Sequence, residues 1–330
     1  PPRSTLFPYT TLFRSFMPKS DSNKSIRIGT RATKLAIRQA EILSQEIINK
    51  KIAKIDNIEI IPIKSSGDYV SASIGPYDGK LLFTKEIDQA LIDERIDIAA
   101  HSVKDLESNL AAELELYGVL EREDPRDALI TTDKFDNIDD LPRNCLIGSA
   151  SPRREAIIRS IREDVRVIEY RGNFETRIKK LIGKEVDATF LAMAGIKRLN
   201  YKGCYILPIE TKEFLPAAGQ GAIGLIIRKD DTRAREIVTK LNHQESFDCI
   251  QAERKVMEKF GGSCFQPLAI HAYYLKNDEI TIDAVIYSKS GSKNLHLSGN
   301  GTSLTIFDIA GDIGQRLLNY YNEHLLNDIN

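Results

Sequence analysis

Two periodicities alternate along the first two thirds of the chain. Short apolar runs of strand length end at glycine, serine or arginine. Longer stretches follow, with apolar residues every three or four positions. Residues 26–28 read as a strand that stops at Gly29-Thr30-Arg31. Leu35, Ala36, Gln39, Ala40, Leu43 and Ile47 then keep to one helical face. A strand is expected at 58–64, a helix at 83–94, and a buried strand at 97–100 that delivers His101-Ser102-Val103-Lys104-Asp105 at its carboxyl end. Strands follow at 117–120, 127–131, 145–147, 165–170, 187–191 and 222–227. Residues 65–80 hold three glycines, one proline and four serines without a period, which predicts a loop.

A weak internal echo runs through this region. Ile28-Gly29-Thr30 and Ile147-Gly148-Ser149 each end a strand before a helix. Asp97-Ile98-Ala99 and Asp187-Ala188-Thr189 each open a strand after one. Strand–helix alternation in both stretches predicts two similar α/β lobes. Ligands of such folds lie beyond the carboxyl ends of strands, so two facing lobes would make a cleft. The last third differs: a helix at 246–260, strands at 268–275, 279–287 and 295–298, and a long amphipathic helix at 304–325. The expected class is therefore α/β, with two lobes around a cleft and a small α+β C-terminal domain with an antiparallel sheet. The expected division is a leader at 1–24, one lobe from 25–120 with 222–241, a second from 121–221, and the C-terminal domain from 242–330. Residues 1–16 repeat Thr-Leu-Phe, lack acids and read as a disordered or artefactual leader.

Composition adds exclusions. With 46 basic and 47 acidic residues the net charge is −1, so attraction of the whole molecule to nucleic acid does not explain its arginines. No window is apolar over the length of a membrane span. The four cysteines, Cys145, Cys204, Cys249 and Cys264, form no CxxC pair. That argues against a zinc ribbon or disulfide framework, and for a reducing compartment without a metal site.

The chemistry concentrates at strand ends. Gly148 to Arg154 and Arg171-Gly172-Asn173 both pass from a strand into a helix N-terminus, which favours anions. Arginine adds a planar fork that grips carboxylate or phosphate at two points. Arg153, Arg154 and Arg171 therefore predict a pocket for a ligand with several negative groups, whereas Arg177 and Arg198 also fit solvated helix faces. Asp105 suits either a helix N-cap or a catalytic carboxylate facing the cleft. A Ser-His nucleophile at His101-Ser102 lacks an elbow or oxyanion glycines. Gly219-Gln220-Gly221-Ala222-Ile223-Gly224 matches GxGxxG, but a proline turn precedes it and a β-rich run follows, so it reads as an inter-domain hinge. Cys264, in a Gly-Gly-Ser-Cys loop, is a candidate nucleophile or attachment point.

Taken in order, these motifs resemble the porphobilinogen deaminase (hydroxymethylbilane synthase) family. They are Arg27-Ile28-Gly29-Thr30-Arg31, Leu82-Phe83-Thr84-Lys85-Glu86, His101 to Asp105, Arg122-Glu123-Asp124-Pro125-Arg126-Asp127-Ala128, Gly148 to Arg154, Arg171-Gly172-Asn173, Ala194 to Leu199, Pro216 to Gly221, and Gly262-Ser263-Cys264 with Pro267. No single motif is decisive; their order is highly specific. The resemblance implies lobes like those of a periplasmic binding protein, with a third domain carrying the cofactor. It implies a transferase that joins four porphobilinogens head to tail with loss of ammonia, on a covalent dipyrromethane held by Cys264. The implied catalytic carboxylate is Asp105. Lys104, Ser151, Arg153, Arg154, Arg171, Gly172 and Asn173 are implied to hold the cofactor. Arg31, Thr33, Lys80, Phe83, Arg171, Arg177 and Arg198 are implied for the substrate.

A cytoplasmic monomer without nucleic-acid or membrane partners is expected, with loop 65–80 as a lid. The chain departs from the family pattern at Lys34, Glu107, Pro152 and Ile226, and in the lid at 78–81. The alternatives are a two-lobed anion-binding protein without catalysis, which would need neither Asp105 nor Cys264, and a cysteine hydrolase, which lacks a histidine at suggestive spacing from Cys264.

Overall fold

The computed structural model describes residues 25–65, 81–107, 109–261, 266–275 and 278–326, with backbone only at 81–83. The expected leader, most of the loop at 65–80, and Cys264 lie outside the described residues.

The first lobe opens with β1 (Ile26–Arg31), α1 (Lys34–Asn49), β2 (Ile58–Ile63), α2 (Leu81–Ile92), β3 (Ile98–Ser102) and β4 (Leu114–Val119). The chain then crosses to the second lobe: β5 (Asp127–Thr131), β6 (Leu146–Gly148), α3 (Pro152–Ile161), β7 (Arg166–Ile168), α4 (Phe174–Ile182), β8 (Ala188–Ala192), α5 (Met193–Arg198) and β9 (Tyr205–Pro208). It crosses back as β10 (Ile223–Arg228) and α6 (Thr232–Leu241).

The two sheets have one topology. Their orders are β2-β1-β3-β10-β4 and β7-β6-β8-β5-β9. In each, three parallel strands are followed by an antiparallel strand that enters from the other lobe. β10 thus takes in the first sheet the place that β5 takes in the second. The echo has a physical cause. Asp97 N–H donates to Arg27 O at 2.8 Å, and the Asp97 carboxylate accepts from Arg27 N at 2.8 Å. In the second lobe Asp187 makes the same two bonds with Leu146, both at 2.8 Å. One aspartate in each lobe clamps the start of the central strand to its neighbour.

The third unit is α7 (Gln244–Glu258), the antiparallel sheet of β11 (Leu268–Tyr274), β12 (Ile280–Tyr287) and β13 (Asn294–Gly301), and α8 (Ile306–Tyr320). Period-two alternation gives its sheet two faces. Ile270, Ile280, Ile282 and Ile286 pack on Val256 of α7 and on Ile306, Ile313 and Leu317 of α8. Ala269 and Val285 face the other way and join the second lobe's core beside Ile157 and Phe214. Glu253 of α7, fully buried, fastens the junction. It accepts from Arg122 Nη1 at 2.6 Å, Gly219 N at 2.6 Å and Ala272 N at 2.8 Å. One carboxylate therefore ties the β4–β5 crossover, the returning turn and the third sheet together.

The expected class is the one observed. Residues 216–221 form a turn that leads into β10 and not into a helix, so the dinucleotide fingerprint fails structurally as expected.

Candidate active site

A cleft of about 1270 Å³ opens between the lobes. Strand ends from both sheets line it. Arg31 ends β1 and Ala32 to Leu35 follow it, Lys64 follows β2, and Ser102, Lys104 and Asp105 lie at the end of β3. Opposite them stand Ala150 and Arg154 after β6, Arg171 to Thr176 after β7, and Ala192 to Arg198 at and beyond the end of β8. Among its described lining residues nine side chains are cationic, and only Asp105 and Glu175 are acidic. Such a wall, with helix N-termini between the charges, selects a polyanion.

Asp105 stands on a single 3₁₀ turn, Val103–Asp105, that continues β3. It ends that turn, so it is not an N-cap. The turn is held from beneath by the 216–221 segment. A Cβ on Gly219 (φ +74°) would lie 2.6 Å from Val103 Cγ1, and one on Gly221 (φ +93°) 2.2 Å from Glu123 O. Only glycine permits this approach. Val103 is buried by it, while Asp105 is exposed to the cleft.

Lys104 lies 3.5 Å from Gln220 Oε1. Burial pushes its ammonium down to about 8, opposed by Asp105 and Asp127 and assisted by Arg154 and Arg153. Across the cleft, burial takes Arg177 down to about 10. Arg154 pushes the same way and Asp105 pulls back. Arg177 therefore remains cationic at neutral pH and senses Asp105 from the other lobe.

The arginine pair divides. Ser151 caps α3, accepting from Arg154 N at 3.4 Å, and Pro152 occupies the first turn, where a missing N–H costs nothing. Both arginines converge on Asp127, which is fully buried. Arg153 Nη2 stands 2.8 Å from Oδ2 and Arg154 Nη2 2.6 Å from Oδ1. Burial alone would raise the Asp127 carboxyl; Arg153, Arg154 and Lys104 hold it down at about 2. Arg154 still lines the cleft. Arg153 does not: it donates to Leu215 O at 2.7 Å and lies over the Phe214 ring. Ser151 is likewise a cap outside the lining set.

The remaining expected residues fall as follows. Arg171 is exposed and pairs with Glu169 at 2.6 Å, a contact worth little in water. Gly172 has φ +135°, and Asn173 caps α4 by accepting from Thr176 N at 2.9 Å. Arg177 Nε donates to Gly172 O at 3.0 Å. Arg198 Nη2 donates to Gly221 O at 2.6 Å, and burial takes it to about 10. Arg31 lines the cleft, as does Thr33, the N-cap of α1. Lys80 and Cys264 lie outside the described residues, as does the Phe83 side chain. Sequence reasoning missed Lys34, Gln39, Lys64, Glu175 and Lys180, all on the cleft wall. Lys64 sits immediately beyond the end of β2 and Lys34 opens the helix after β1, so the rule that found the arginines would have found them.

Two buried histidines carry a pH signature. Burial takes His101 to about 4 and His271 to about 3, so both are neutral when folded. The unfolded chain takes up their protons near the ordinary value of ~6.5. Stability from each is lost as pH falls below that value, because the unfolded state then binds more protons. Asp88, raised to about 6 by burial, acts in the opposite sense between pH 6 and 4. Comparison with a variant isolates one histidine. Replacing His271, which stacks on Tyr273, by phenylalanine is expected to reduce the fall in melting temperature between pH 7 and pH 5. An unchanged fall would show that His271 is not held neutral.

Comparison with known proteins decides the family. The family model "Porphobilinogen deaminase, dipyromethane cofactor binding domain" matches residues 26–236, and the C-terminal domain model of that family matches residues 247–320. The chain belongs to the porphobilinogen deaminase family. Family relatives include the porphobilinogen deaminase of Rickettsia canadensis, 43% identical over 82% of this chain and 89% of that protein. That of Rickettsia prowazekii is 44% identical over 79% of this chain and 87% of its own length. Among solved structures, a putative methionine-binding lipoprotein from Bacillus subtilis aligns over 72% of this chain and 96% of that one, at 15% identity and TM-score 0.43, a likeness too loose to carry weight. Among the described residues no helix is long and apolar enough to cross a membrane, and no metal-ligand cluster occurs.

Proposed function

We propose that this chain is a hydroxymethylbilane synthase that joins four porphobilinogens head to tail, releasing ammonia at each addition, on a dipyrromethane attached at Cys264. One observation carries the reading: an exposed carboxylate, Asp105, at a strand end in a cleft whose other described charges, Glu175 apart, are cationic. A pyrrole bearing an acetate and a propionate brings two carboxylates per ring. A growing chain therefore needs many separate cations. Each charge-assisted contact is worth on the order of 1.5–3 kcal/mol. Arg31, Arg154, Arg177 and Arg198, with Lys34, Lys64 and Lys104, stand where such acids would lie.

The donor set fits the acids of a dipyrromethane, and Lys104, Arg154, Arg171 and Asn173 are the residues proposed to hold it. When bound, that group supplies the nucleophilic pyrrole end from which the chain grows. The protein's own part is electrostatic. Loss of ammonia from porphobilinogen leaves a cation spread over the pyrrole ring and its methylene carbon. Asp105 would face that charge and accept from the pyrrole N–H. The lobes would hold both partners in one orientation.

A non-catalytic anion binder has no use for an acid among its cations, and Asp105 argues against it. The test is direct. Purified protein incubated with porphobilinogen should consume it and yield hydroxymethylbilane; no consumption by folded protein would overturn the reading.

A further inference from the structure

Cations alone do not choose a pyrrole. A wall of guanidinium and ammonium groups accepts any polyanion whose charges fit, aliphatic or phosphorylated. The flat ring between the two acids needs an apolar surface to lie against. Among the described lining residues of the cleft, Leu35, Phe174 and Leu191 carry the large apolar side chains, and of these Phe174 alone is aromatic.

Phe174 is the first residue of α4, directly after the cap Asn173. Residues three and four apart share a helix face. Ile178, four positions on, is buried in a core of the second lobe, and Phe174 packs at the edge of that core. Arg177, three positions on, lines the cleft with Phe174, as does Lys180 one turn further. Phe174 therefore stands on the border between core and cleft, half-buried. Its ring is held from the core side. It meets Tyr201 edge to face, with centroids 5.3 Å apart and planes at 75°, and Tyr201 OH donates to Cys204 Sγ at 3.2 Å. A ring fixed in advance loses little freedom when a ligand lies against it.

The charges around Phe174 place this surface. Arg171 precedes the cap, Arg177 follows one turn later, and Asp105 acts on Arg177 from the other lobe. The aromatic surface thus belongs to the same part of the cleft as the carboxylate proposed to face the substrate's cation. We propose that Phe174 is a specificity-determining residue: it takes the pyrrole ring of the incoming porphobilinogen, while Arg171 and Arg177 take the acetate and propionate. Aromatic pairs gain more than their buried area alone supplies. The ring therefore selects a pyrrole diacid over an aliphatic diacid of the same charge. The inference deepens the proposed function and rests on it.

The experiment compares the purified holoenzyme with Phe174→Leu and Phe174→Tyr. Leucine fills the core side without an aromatic ring; tyrosine keeps the ring. Phe174→Leu should raise KM for porphobilinogen about fivefold, with kcat within about twofold of the parent, and Phe174→Tyr should restore KM. A direct reading uses a probe that cannot lose ammonia: the pyrrole bearing acetate and propionate without the aminomethyl arm. In holoenzyme labelled with ¹³C-phenylalanine, saturating probe should show cross-relaxation between its ring proton and the Phe174 ring, whose resonance is identified by its absence from Phe174→Tyr. An unchanged KM in folded Phe174→Leu would overturn the inference and leave Phe174 a core residue. Absence of cross-relaxation would do the same. Should Phe174→Leu not fold, the cross-relaxation in the parent decides alone. Failure of the parent to consume porphobilinogen would instead remove the function on which the inference rests.

Discussion

Asp105→Asn is expected to lower kcat about a thousandfold while leaving the fold and KM for porphobilinogen nearly unchanged. The magnitude follows from charge alone: a carboxylate ~4 Å from a transient cation, at an effective dielectric of ~20, contributes about 4 kcal/mol. The fold should survive because Asp105 is exposed at the end of a 3₁₀ turn and supports none of the cores. Asparagine keeps the shape and can still accept a hydrogen bond, so the loss measures charge. Steady-state kinetics with circular dichroism on both proteins is the test. A loss below tenfold would remove Asp105 from the role assigned to it.

Asp127→Ala should have the largest effect on stability. That carboxylate is the shared counter-ion of Arg153 and Arg154, all three being buried. Removing one partner of a buried pair costs roughly 3–5 kcal/mol, because the other charge is left uncompensated. Here two guanidinium groups lose their partner. The denaturant midpoint should fall accordingly, or the protein should fail to accumulate in folded form. Lys104, pulled up by Asp127, should also titrate lower than about 8 in any variant that folds. Normal stability with an unshifted Lys104 would show that the cluster is not the electrostatic unit described here.

The same cluster shows where sequence reasoning stops. Strand ends were legible because apolar runs stop at Gly29, His101, Gly148 and Arg171, and the arginines beyond them could be read as cleft residues. Nothing in the spacing shows that Arg153 turns away from the cleft toward Asp127, 26 positions earlier in the sequence. That pairing exists only because β5 is inserted between β8 and β9. β9 at Tyr205–Pro208 and α6 at Thr232–Leu241 were not anticipated. The strand is four residues long and contains a proline, and the helix is rich in charge. The internal echo was stronger than its sequence suggested, since its physical content is a backbone clamp by Asp97 and Asp187.

The claim on which all of this depends is that an acidic pyrrole chain grows from a sulfur-bound primer in the cationic cleft. Intact-mass spectrometry of the purified protein addresses it most directly. The account requires a mass above that of the polypeptide by one dipyrromethane, absent from Cys264→Ala. Active protein with an unmodified Cys264 would contradict it.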